Sequence, residues 1–250
     1  MNRVGRRCAF GVIVVGLALW AQSYAWAGDP NDDGCVKEIN PDSKIGYCTY
    51  VIQSGRYIGA NAAWAYFSRA DAYFFKNNYD RMIPDLDEAI RLKPGMTAAY
   101  LARGYAYFKR MDYSRSIQDM DVAIRLKPDL GTAYDIRCWA KVGAGRAAQA
   151  ISDCDRSLQL LPNDPSALAG RGWGHMRTGN YSAAATDFGE ALHFDEALQS
   201  NPKLASSLYG RALAEQRKGD QLHADQDLAA AKAIQPGIQE DLARQHIWPQ

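Results

Sequence analysis

Apolar residues recur along most of the chain at intervals of three and four, which is the spacing of neighbouring turns of an α-helix. Residues 63–92 show this pattern in two stripes, one for each predicted helix: Tyr66, Ala70 and Tyr73, then Met82, Leu86 and Ala89. The polar run Lys76-Asn77-Asn78 separates the two stripes. The pattern therefore predicts two helices of about a dozen residues each, joined by a short turn.

A proline follows each predicted pair of helices, and the prolines are regularly spaced. The step from Pro94 to Pro128 equals the step from Pro128 to Pro162; the step to Pro202 is longer, and the step to Pro236 returns to the first length. Because proline lacks a backbone N–H and cannot continue a helix, each of them marks a helix end. The recurrence of a helical pair predicts a stack of hairpins in which each unit packs on its neighbours.

The repeated residues resemble the tetratricopeptide repeat family, whose units are helix–turn–helix pairs of about 34 residues. The same positions match in the first two units: Tyr66, Ala70, Tyr73, Tyr79, Leu86, Ala89 and Pro94, then Tyr100, Gly104, Tyr107, Tyr113, Met120, Ala123 and Pro128. The likeness extends over about residues 63–236. It implies an all-α fold, a right-handed superhelical solenoid of antiparallel helix hairpins, with five units at 63–96, 97–130, 131–164, 165–204 and 205–238.

Three segments depart from the regular unit. The fourth unit carries extra residues around His193 to Gln199, so we expect its second helix to be longer or interrupted. Residues 41–53 resemble only the second half of a unit and are expected to form a cap helix after a leading coil, with Pro41 in its first turn. Residues 237–250 are expected to form a capping helix and tail that cover the last hairpin.

Each unit carries an arginine on its first helix and an aspartate on its second helix, and the spacing between the two is the same in every unit. The pairs are Arg69 and Asp85, Arg103 and Asp119, Arg137 and Asp153, Arg171 and Asp187, and Arg211 and Asp227. A guanidinium can hold a carboxylate with two parallel hydrogen bonds, which fixes the geometry of two packed helices. Because an enzyme needs one site and not five, we interpret these pairs as a structural ladder. The spacing leaves open whether each arginine meets the aspartate of its own unit or that of a neighbour.

The amino terminus has the pattern of an export signal. Three arginines precede an uncharged, largely apolar run that ends in Ala25-Trp26-Ala27. A basic start, a short apolar region and an A-x-A site are typical of a cleaved signal peptide, which predicts the removal of residues 1–27. The mature chain then starts with an amino-terminal segment and cap helix, residues 28–62, and is exported to the periplasm or secreted. The alternative is an uncleaved segment that anchors the chain in a membrane.

Four cysteines remain after removal of the signal, and an oxidising compartment favours disulfide bonds between them. Cys138 and Cys154 occupy places that hold one small and one bulky residue in the other units, so they face each other across the predicted hairpin. We therefore predict a Cys138–Cys154 bond and, by elimination, a Cys35–Cys48 bond. The alternative is buried free thiols that pack as small hydrophobic side chains.

Composition and motifs narrow the functional class. A net charge of +1 excludes a strongly basic chain of the kind that coats nucleic acid. The sequence has no phosphate-binding glycine loop, no G-x-S-x-G and no H-E-x-x-H, and its four histidines are scattered. We therefore expect no catalytic residues, metal, cofactor or small-molecule substrate, and no nucleic-acid partner. Membrane contact is expected only if the amino-terminal segment stays uncleaved.

The first helices carry a second, mostly aromatic set of side chains that faces away from the predicted hairpin interface. In a superhelix of hairpins the first helices line the concave side. The candidate partner-binding residues on this side are Phe67, Asp71, Phe74, Leu101, Tyr105, Phe108, Asp135, Trp139, Trp173 and Met176. These side chains either pack neighbouring first helices together or form a groove for an apolar or amphipathic peptide segment.

Together these patterns favour a non-enzymatic protein–protein interaction scaffold outside the cytoplasm, which binds a partner protein or peptide on its concave aromatic face. The alternative is a structural accessory subunit of an envelope or secretion assembly, without a peptide groove. An enzyme is disfavoured because the sequence offers no nucleophile–base or metal set. The solvent exposure of Trp139 and Trp173 distinguishes the groove from a packing role.

Overall fold

The computed structural model describes residues 30–198 and 201–248. Within these residues the chain forms thirteen α-helices and one short 3-10 helix, and no β-strand. The all-α fold class predicted from the sequence is therefore confirmed. The predicted signal segment, residues 1–27, lies outside the described residues. No helix in the described part of the chain is both long and apolar enough to cross a membrane.

The described residues fall into two compact regions that meet in sequence between Pro128 and Asp129. The amino-terminal region contains six α-helices, and the 3-10 helix Gly59–Ala62 precedes the third of them. Their bounds are α1 Pro30–Lys37, α2 Pro41–Gln53, α3 Ala63–Phe75, α4 Tyr79–Leu92, α5 Thr97–Lys109 and α6 Tyr113–Leu126. Consecutive helices pack on one another, and α3 with α4 and α5 with α6 form the first two hairpins.

The carboxy-terminal region contains seven α-helices with the same sequential packing. Their bounds are α7 Gly131–Gly143, α8 Ala147–Leu160, α9 Pro165–Arg177, α10 Tyr181–Leu198, α11 Asn201–Lys218, α12 Gln221–Ile234 and α13 Ile238–Arg244. The first six of these helices form three hairpins, and α13 packs on α11. A chain of helical hairpins, each packed on the next, is the arrangement expected of a repeat solenoid.

Short polar turns join the two helices of a hairpin. Asn78, Asp112 and Asp220 precede the second helices α4, α6 and α12, and each side chain accepts a hydrogen bond from a backbone N–H in the first turn. Such N-caps satisfy donors that have no partner inside the helix. Asn77 lies in the left-handed region with φ 53°, which asparagine tolerates well, and this lets the chain reverse direction in a short turn.

The two helices of a hairpin approach closely because a small residue on one faces a bulky residue on the other. A methyl group added to Gly172 would lie 2.9 Å from the ring of Phe188, and one added to Gly104 would collide with the side chain of Met120. Phe188 and Met120 are completely buried. Tight packing across the hairpin, and not a special backbone conformation, therefore explains glycine at Gly172, whereas at Gly104 the added methyl group first meets the flexible end of Met120.

The segments that depart from the regular unit are also helical. The cap helix α2 begins at Pro41, and the side chain of Asn40 caps its first turn. The leading coil expected before it is wrong, because residues 30–37 form helix α1. In the fourth unit, α10 has 18 residues, against 14 in α8. Of the two alternatives for this insertion, the structure has the longer helix, which continues to Leu198.

Candidate partner-binding surface

Each arginine of the ladder meets the aspartate of its own unit. In all five pairs Nε and Nη2 of the arginine donate to the carboxylate at 2.6–3.1 Å. The five aspartates are buried and the arginines are half-buried. A contact through two hydrogen bonds of this kind fixes both the distance and the angle between the two helices of a hairpin. The ladder therefore fixes the orientation of each first helix, from which the candidate residues project.

Two of the arginines also reach back to the preceding unit. Arg103 Nη1 donates to Asp87 at 2.6 Å, and Arg171 Nη1 donates to Asp155 at 2.8 Å. Hydrogen bonding to Asp119 raises the pKa of Arg103 in spite of its burial, so the guanidinium stays charged. At these two junctions, between the first and second hairpins and between the third and fourth, the ladder therefore joins neighbouring hairpins as well as the two helices of one hairpin.

The cysteines pair as predicted, Cys35 with Cys48 and Cys138 with Cys154. All four are completely buried. The Cys138–Cys154 bond joins α7 to α8 with the two Cα atoms 5.5 Å apart, at the place where other hairpins have a small residue facing a bulky one. The Cys35–Cys48 bond joins α1 to α2 and anchors the first described helix to the cap.

The ten candidate partner-binding residues lie on the first helices, and none of them is strongly exposed. Five are buried, namely Phe67, Phe74, Tyr105, Trp173 and Met176. Five are half-buried, namely Asp71, Leu101, Phe108, Asp135 and Trp139. Burial within the chain favours a packing role for the first five. A partner can reach only the half-buried residues and the exposed side chains beside them.

Asp71 is already paired within the chain. Lys44, on the cap helix α2, donates to Asp71 Oδ2 at 2.7 Å, and the two side chains are only 12% and 14% exposed. A buried ion pair of this geometry holds two helices in register, since separating the partners would strand a charge. Asp71 therefore fixes the cap helix on α3, and its carboxylate is not offered to a partner.

Six aromatic side chains form a continuous cluster around the carboxyl ends of α3 and α5. This aromatic cluster consists of Phe74, Phe75, Tyr79, Tyr105, Phe108 and Tyr113. The ring centroids of neighbouring members lie 5.5–6.5 Å apart, mostly in tilted or edge-on arrangements. Phe75 is 52% exposed and Phe108 is half-buried, whereas Phe74 and Tyr105 are buried. The aromatic cluster thus has a buried base and an edge that solvent reaches.

The sequence pattern did not indicate Tyr79 and Tyr113 as members of this surface. Both are the first residues of second helices, α4 and α6, and they complete the aromatic cluster from the turn side. Their signal in the sequence is the recurrence of tyrosine at the same position of the first two units, where these helices start. The candidate pattern, which covers only the first helices, does not include Tyr79 and Tyr113.

In this structure Trp173 and Met176 are covered by other parts of the chain, whereas the sequence predicted them as binding residues on an accessible face. Trp173 is 0% exposed and Met176 is 2% exposed. The indole N–H of Trp173 donates to Ser206 Oγ at 3.3 Å, and its ring lies 5.2 Å from that of Phe188. The remaining side is covered by Trp248, from the carboxy-terminal tail, at 5.9 Å.

Trp139 is half-buried and also engaged within the chain. Its indole N–H donates to the backbone carbonyl of Ser166 at 3.1 Å, which ties α7 to α9. With the burial of Trp173, this favours a packing role for both tryptophans. The candidate surface for a partner is therefore the exposed edge of the aromatic cluster.

The candidate surface has no metal chemistry near it. Over residues 30–198 and 201–248, no three His, Cys, Asp or Glu side chains are grouped as metal ligands would be. Helical hairpins that recur along the chain, each with an arginine–aspartate ion pair between its two helices, define a helical repeat protein.

Comparison with known proteins identifies the repeat. A family model described as tetratricopeptide repeat matches residues 67–130. Over these residues, which lie in the first two hairpins, the match agrees with the resemblance seen in the sequence, and the solved structures that share the fold of the chain include tetratricopeptide repeat proteins. A search of curated proteins finds no match.

Three of these structures illustrate the likeness. YrrB, described as a TPR protein with an unusual peptide-binding site, is 20% identical over 79% of this chain and 96% of its own, with a TM-score of 0.57. MamA from Desulfovibrio magneticus is 14% identical over 70% of this chain and 96% of its own, with a TM-score of 0.59. A thermophilic TPR protein of Thermus thermophilus is 16% identical over 74% and 97%, with a TM-score of 0.56. At these identities the likeness shows the fold alone.

Proposed function

We propose that this protein is a non-enzymatic interaction scaffold that acts outside the cytoplasm and binds a partner protein or peptide on the face of its first helices. The tetratricopeptide repeat fold supports the general role of a protein-interaction scaffold. The observation that carries the specific proposal is the exposed edge of the aromatic cluster. Aromatic side chains with a buried base and an exposed edge are typical anchors of protein interfaces, because they contribute large contact areas at a small entropic cost.

The surroundings of the aromatic cluster indicate the chemistry of the partner. A narrow apolar recess lies between α3, α4 and α5, and its lining includes Phe67, Phe74, Leu86, Ala102 and Tyr105. This recess has room for no more than about one water molecule, so apolar side chains of the partner would pack on the outer rings of the aromatic cluster, Phe75 and Phe108. The partner is therefore an apolar or amphipathic peptide segment, the class proposed from the sequence.

The two disulfide bonds support a location outside the cytoplasm. Buried disulfides form and persist in oxidising compartments such as the periplasm or the extracellular space. Combined with the basic and apolar amino-terminal pattern, they favour export with removal of residues 1–27. Mass spectrometry of the protein recovered from the exported fraction tests this: a first residue of Gly28 supports cleavage, and an intact amino terminus indicates the anchored alternative.

The partner surface is tested with Phe75→Ser, which removes the exposed edge of the aromatic cluster without opening its base. The control is Leu222→Ser, because Leu222 is a similarly exposed apolar side chain, 68% exposed, on α12 in the other region. Both variants are expected to melt like the wild-type chain. A protein retained from envelope extract by the wild-type chain and by Leu222→Ser should be lost from Phe75→Ser.

Retention of the same partner by Phe75→Ser would favour the second candidate, a structural accessory subunit of an envelope or secretion assembly with no peptide groove. One observation supports this alternative, namely the burial of Phe67, Trp173 and Met176 on the first helices. Such a subunit would contact its neighbours through other surfaces, and variants of the aromatic cluster would leave the assembly intact.

A further inference from the structure

The carboxy-terminal tail of the chain lies on the first helices of the last two units. Ile247 and Trp248 follow α13 and pack into the same buried cluster as Trp173 and Met176 of α9 and Tyr209 of α11. The ring of Trp248 lies 5.9 Å from that of Trp173. The tail therefore lies on a surface formed by Trp173, Met176 and Tyr209, which we call the seat. This surface belongs to the face that the sequence assigns to partner binding.

The tail is held in a defined turn at the end of α13. His246 lies in the left-handed region with φ 54°, its N–H donates to the carbonyl of Ala243, and the N–H of Ile247 donates to the carbonyl of Leu242, both at 3.0 Å. This pair of bonds is the Schellman motif, which brings Ile247, the third residue after the helix, back onto its last turn. Accordingly, Ile247 and Leu242 are both buried in the seat.

The seat grips the backbone of this turn as well as its side chains. Arg177 Nη1 donates to the carbonyls of His246 and Ile247, at 2.9 Å and 3.2 Å. Carbonyls just past a helix end carry partial negative charge and lack partners within the helix, so a guanidinium stabilises them whatever side chains they bear. Trp173, Met176 and Tyr209 belong to the same buried cluster as Ile247 and give the seat an apolar wall.

The tail depends on the seat for its structure, which makes it exchangeable. Helix α13 has only seven residues, too few to be stable alone in water. It is joined to α12 by Gln235, Pro236 and Gly237, of which the last two are exposed. When the tail leaves the seat, α13 therefore loses the contacts that keep it helical, while the ladder pairs Arg171–Asp187 and Arg211–Asp227 still hold the hairpins beneath it.

We propose that the seat formed by Trp173, Met176, Arg177 and Tyr209 is a binding site for the end of a partner's helix, and that the chain's own tail is the resident competitor. The ligand is a short helix that ends in a left-handed turn. It carries an aliphatic residue in its last turn, as Leu242 does, an aliphatic residue after the turn, as Ile247 does, and then an aromatic residue, as Trp248 does. This site is separate from the aromatic cluster and does not depend on a partner there.

The short link of Gln235, Pro236 and Gly237 keeps the tail near the seat and so sets how strongly the tail competes with an external ligand. A short connection holds a bound segment at an effective concentration of the order of millimolar, so an external helix end binds the intact chain much more weakly than it binds the empty seat. Release of the tail is therefore expected to raise the affinity for an external ligand by at least about tenfold.

The test uses the full exported chain and a synthetic fluorescent peptide with the sequence of Gly237–Trp248. In the chain, Leu242→Ser together with Ile247→Ser and Trp248→Ser removes the buried side chains of the last turn and the tail, which releases the tail and leaves Trp173, Met176, Arg177 and Tyr209 in place. Fluorescence anisotropy is expected to show at least about tenfold tighter peptide binding to this variant than to the wild-type chain. Adding Arg177→Leu to the released chain should weaken binding again. The control chain is Leu222→Ser, an exposed position on α12, and the control peptide carries serine in place of Ile247 and Trp248.

Equal binding of the peptide to the released and wild-type chains, or binding that ignores the two serines in the control peptide, would overturn the proposal and make the tail a permanent cap. Circular dichroism establishes that the released chain is folded. If it is not, the wild-type chain is incubated with the peptide carrying a photo-crosslinker in place of Trp248. Crosslinks to residues 173–177 or to Tyr209 support the site, and their absence at saturating peptide rejects it.

Discussion

Tyr105 and Trp173 occupy equivalent places on the first helices of the second and fourth units, and both are buried for different reasons. Tyr105 lies within the aromatic cluster, where Phe74, Tyr79 and Phe108 surround it. Trp173 is buried under Trp248, which comes from the end of the chain. In the amino-terminal region, residues of the repeats themselves cover this position. In the carboxy-terminal region, the tail, which lies outside the repeats, covers it.

The position of a residue in the repeat unit therefore sets the direction in which its side chain points, but not its exposure to solvent. The repeat period places both side chains on the same face of a first helix, because the ladder orients each hairpin alike. Whether that face is open to a partner depends on what else the chain places there. In the amino-terminal region an edge at Phe75 stays exposed, whereas in the carboxy-terminal region Arg177 stands at the equivalent place and binds the tail.

The largest effect is expected from Trp173→Ala. Trp173 is completely buried between Phe188 and Trp248, so its truncation leaves a large cavity in the carboxy-terminal core. Such substitutions cost about 3–5 kcal/mol of unfolding free energy. Tyr105→Ala is expected to cost less, since the exposed edge of the aromatic cluster can relax into the space. Urea unfolding of both variants, with Leu222→Ala as control, measures the difference, and equal losses would remove the contrast between the two regions.

Local patterns made much of this architecture predictable. The helical spacing, the closing prolines and the arginine–aspartate recurrence are all short-range signals, and the hairpins, the ladder and the Cys138–Cys154 bond follow from them. Helix α1 could not be predicted from such signals, because it is a single short element in which only Asp32 and Cys35 are buried. Two buried residues are too few to create a hydrophobic periodicity.

Two features of the candidate surface could not be predicted, because they join residues far apart in sequence. Lys44 pairs with Asp71 in the cap, and the carbonyl of Ile247 meets Arg177 from the far end of the chain. No spacing rule connects such residues. Their effect on the surface is decisive, since the first contact occupies a predicted binding carboxylate and the second holds the tail that covers a predicted binding tryptophan.

The ladder provides the next largest effect and is expected to be the same in both regions. Arg103→Leu strands the buried carboxylate of Asp119, and Arg171→Leu strands that of Asp187. Breaking a buried ion pair by removing one partner costs about 3 kcal/mol. The control is Arg110→Leu, whose exposed pair with Asp80 contributes at most about 1 kcal/mol. If either ladder variant unfolds at the same urea concentration as the wild-type chain, the ladder does not stabilise that region.

A variant of the third hairpin tests whether the helix packing of the second hairpin, in the other region, can replace its disulfide bond. Cys138→Gly with Cys154→Met reproduces the Gly104–Met120 contact of the second hairpin. Losing a bond that closes a loop of this size costs about 3 kcal/mol, and the new packing should recover part of that, leaving a net loss of about 2 kcal/mol. The reference is Cys138→Ala with Cys154→Ala, which lacks the same bond and keeps the Cys35–Cys48 bond. If the double variant is no more stable than this reference, the two hairpins do not share one packing scheme.

The smallest effect is expected from Tyr105→Phe, and it depends on pH. Burial raises the pKa of Tyr105 well above its ordinary value of 10.0, and the nearby Tyr79 raises it further. The folded state therefore keeps this hydroxyl neutral at pH values where the unfolded chain ionises it. The contribution to stability is fully present below about pH 10 and is lost as the pH rises above that value. Tyr105→Phe lacks the ionisable group, so its unfolding free energy should fall less between about pH 8 and about pH 11 than that of the wild-type chain.

Urea midpoints at the two pH values measure this difference, with Tyr50→Phe as control because Tyr50 is 53% exposed. If the unfolding free energies of Tyr105→Phe and the wild-type chain fall equally between the two pH values, solvent reaches the Tyr105 hydroxyl. The base of the aromatic cluster would then be open, and a partner could contact Tyr105 itself as well as the edge formed by Phe75. In that case the two regions would differ even more, with an open aromatic face in one and a tail-covered face in the other.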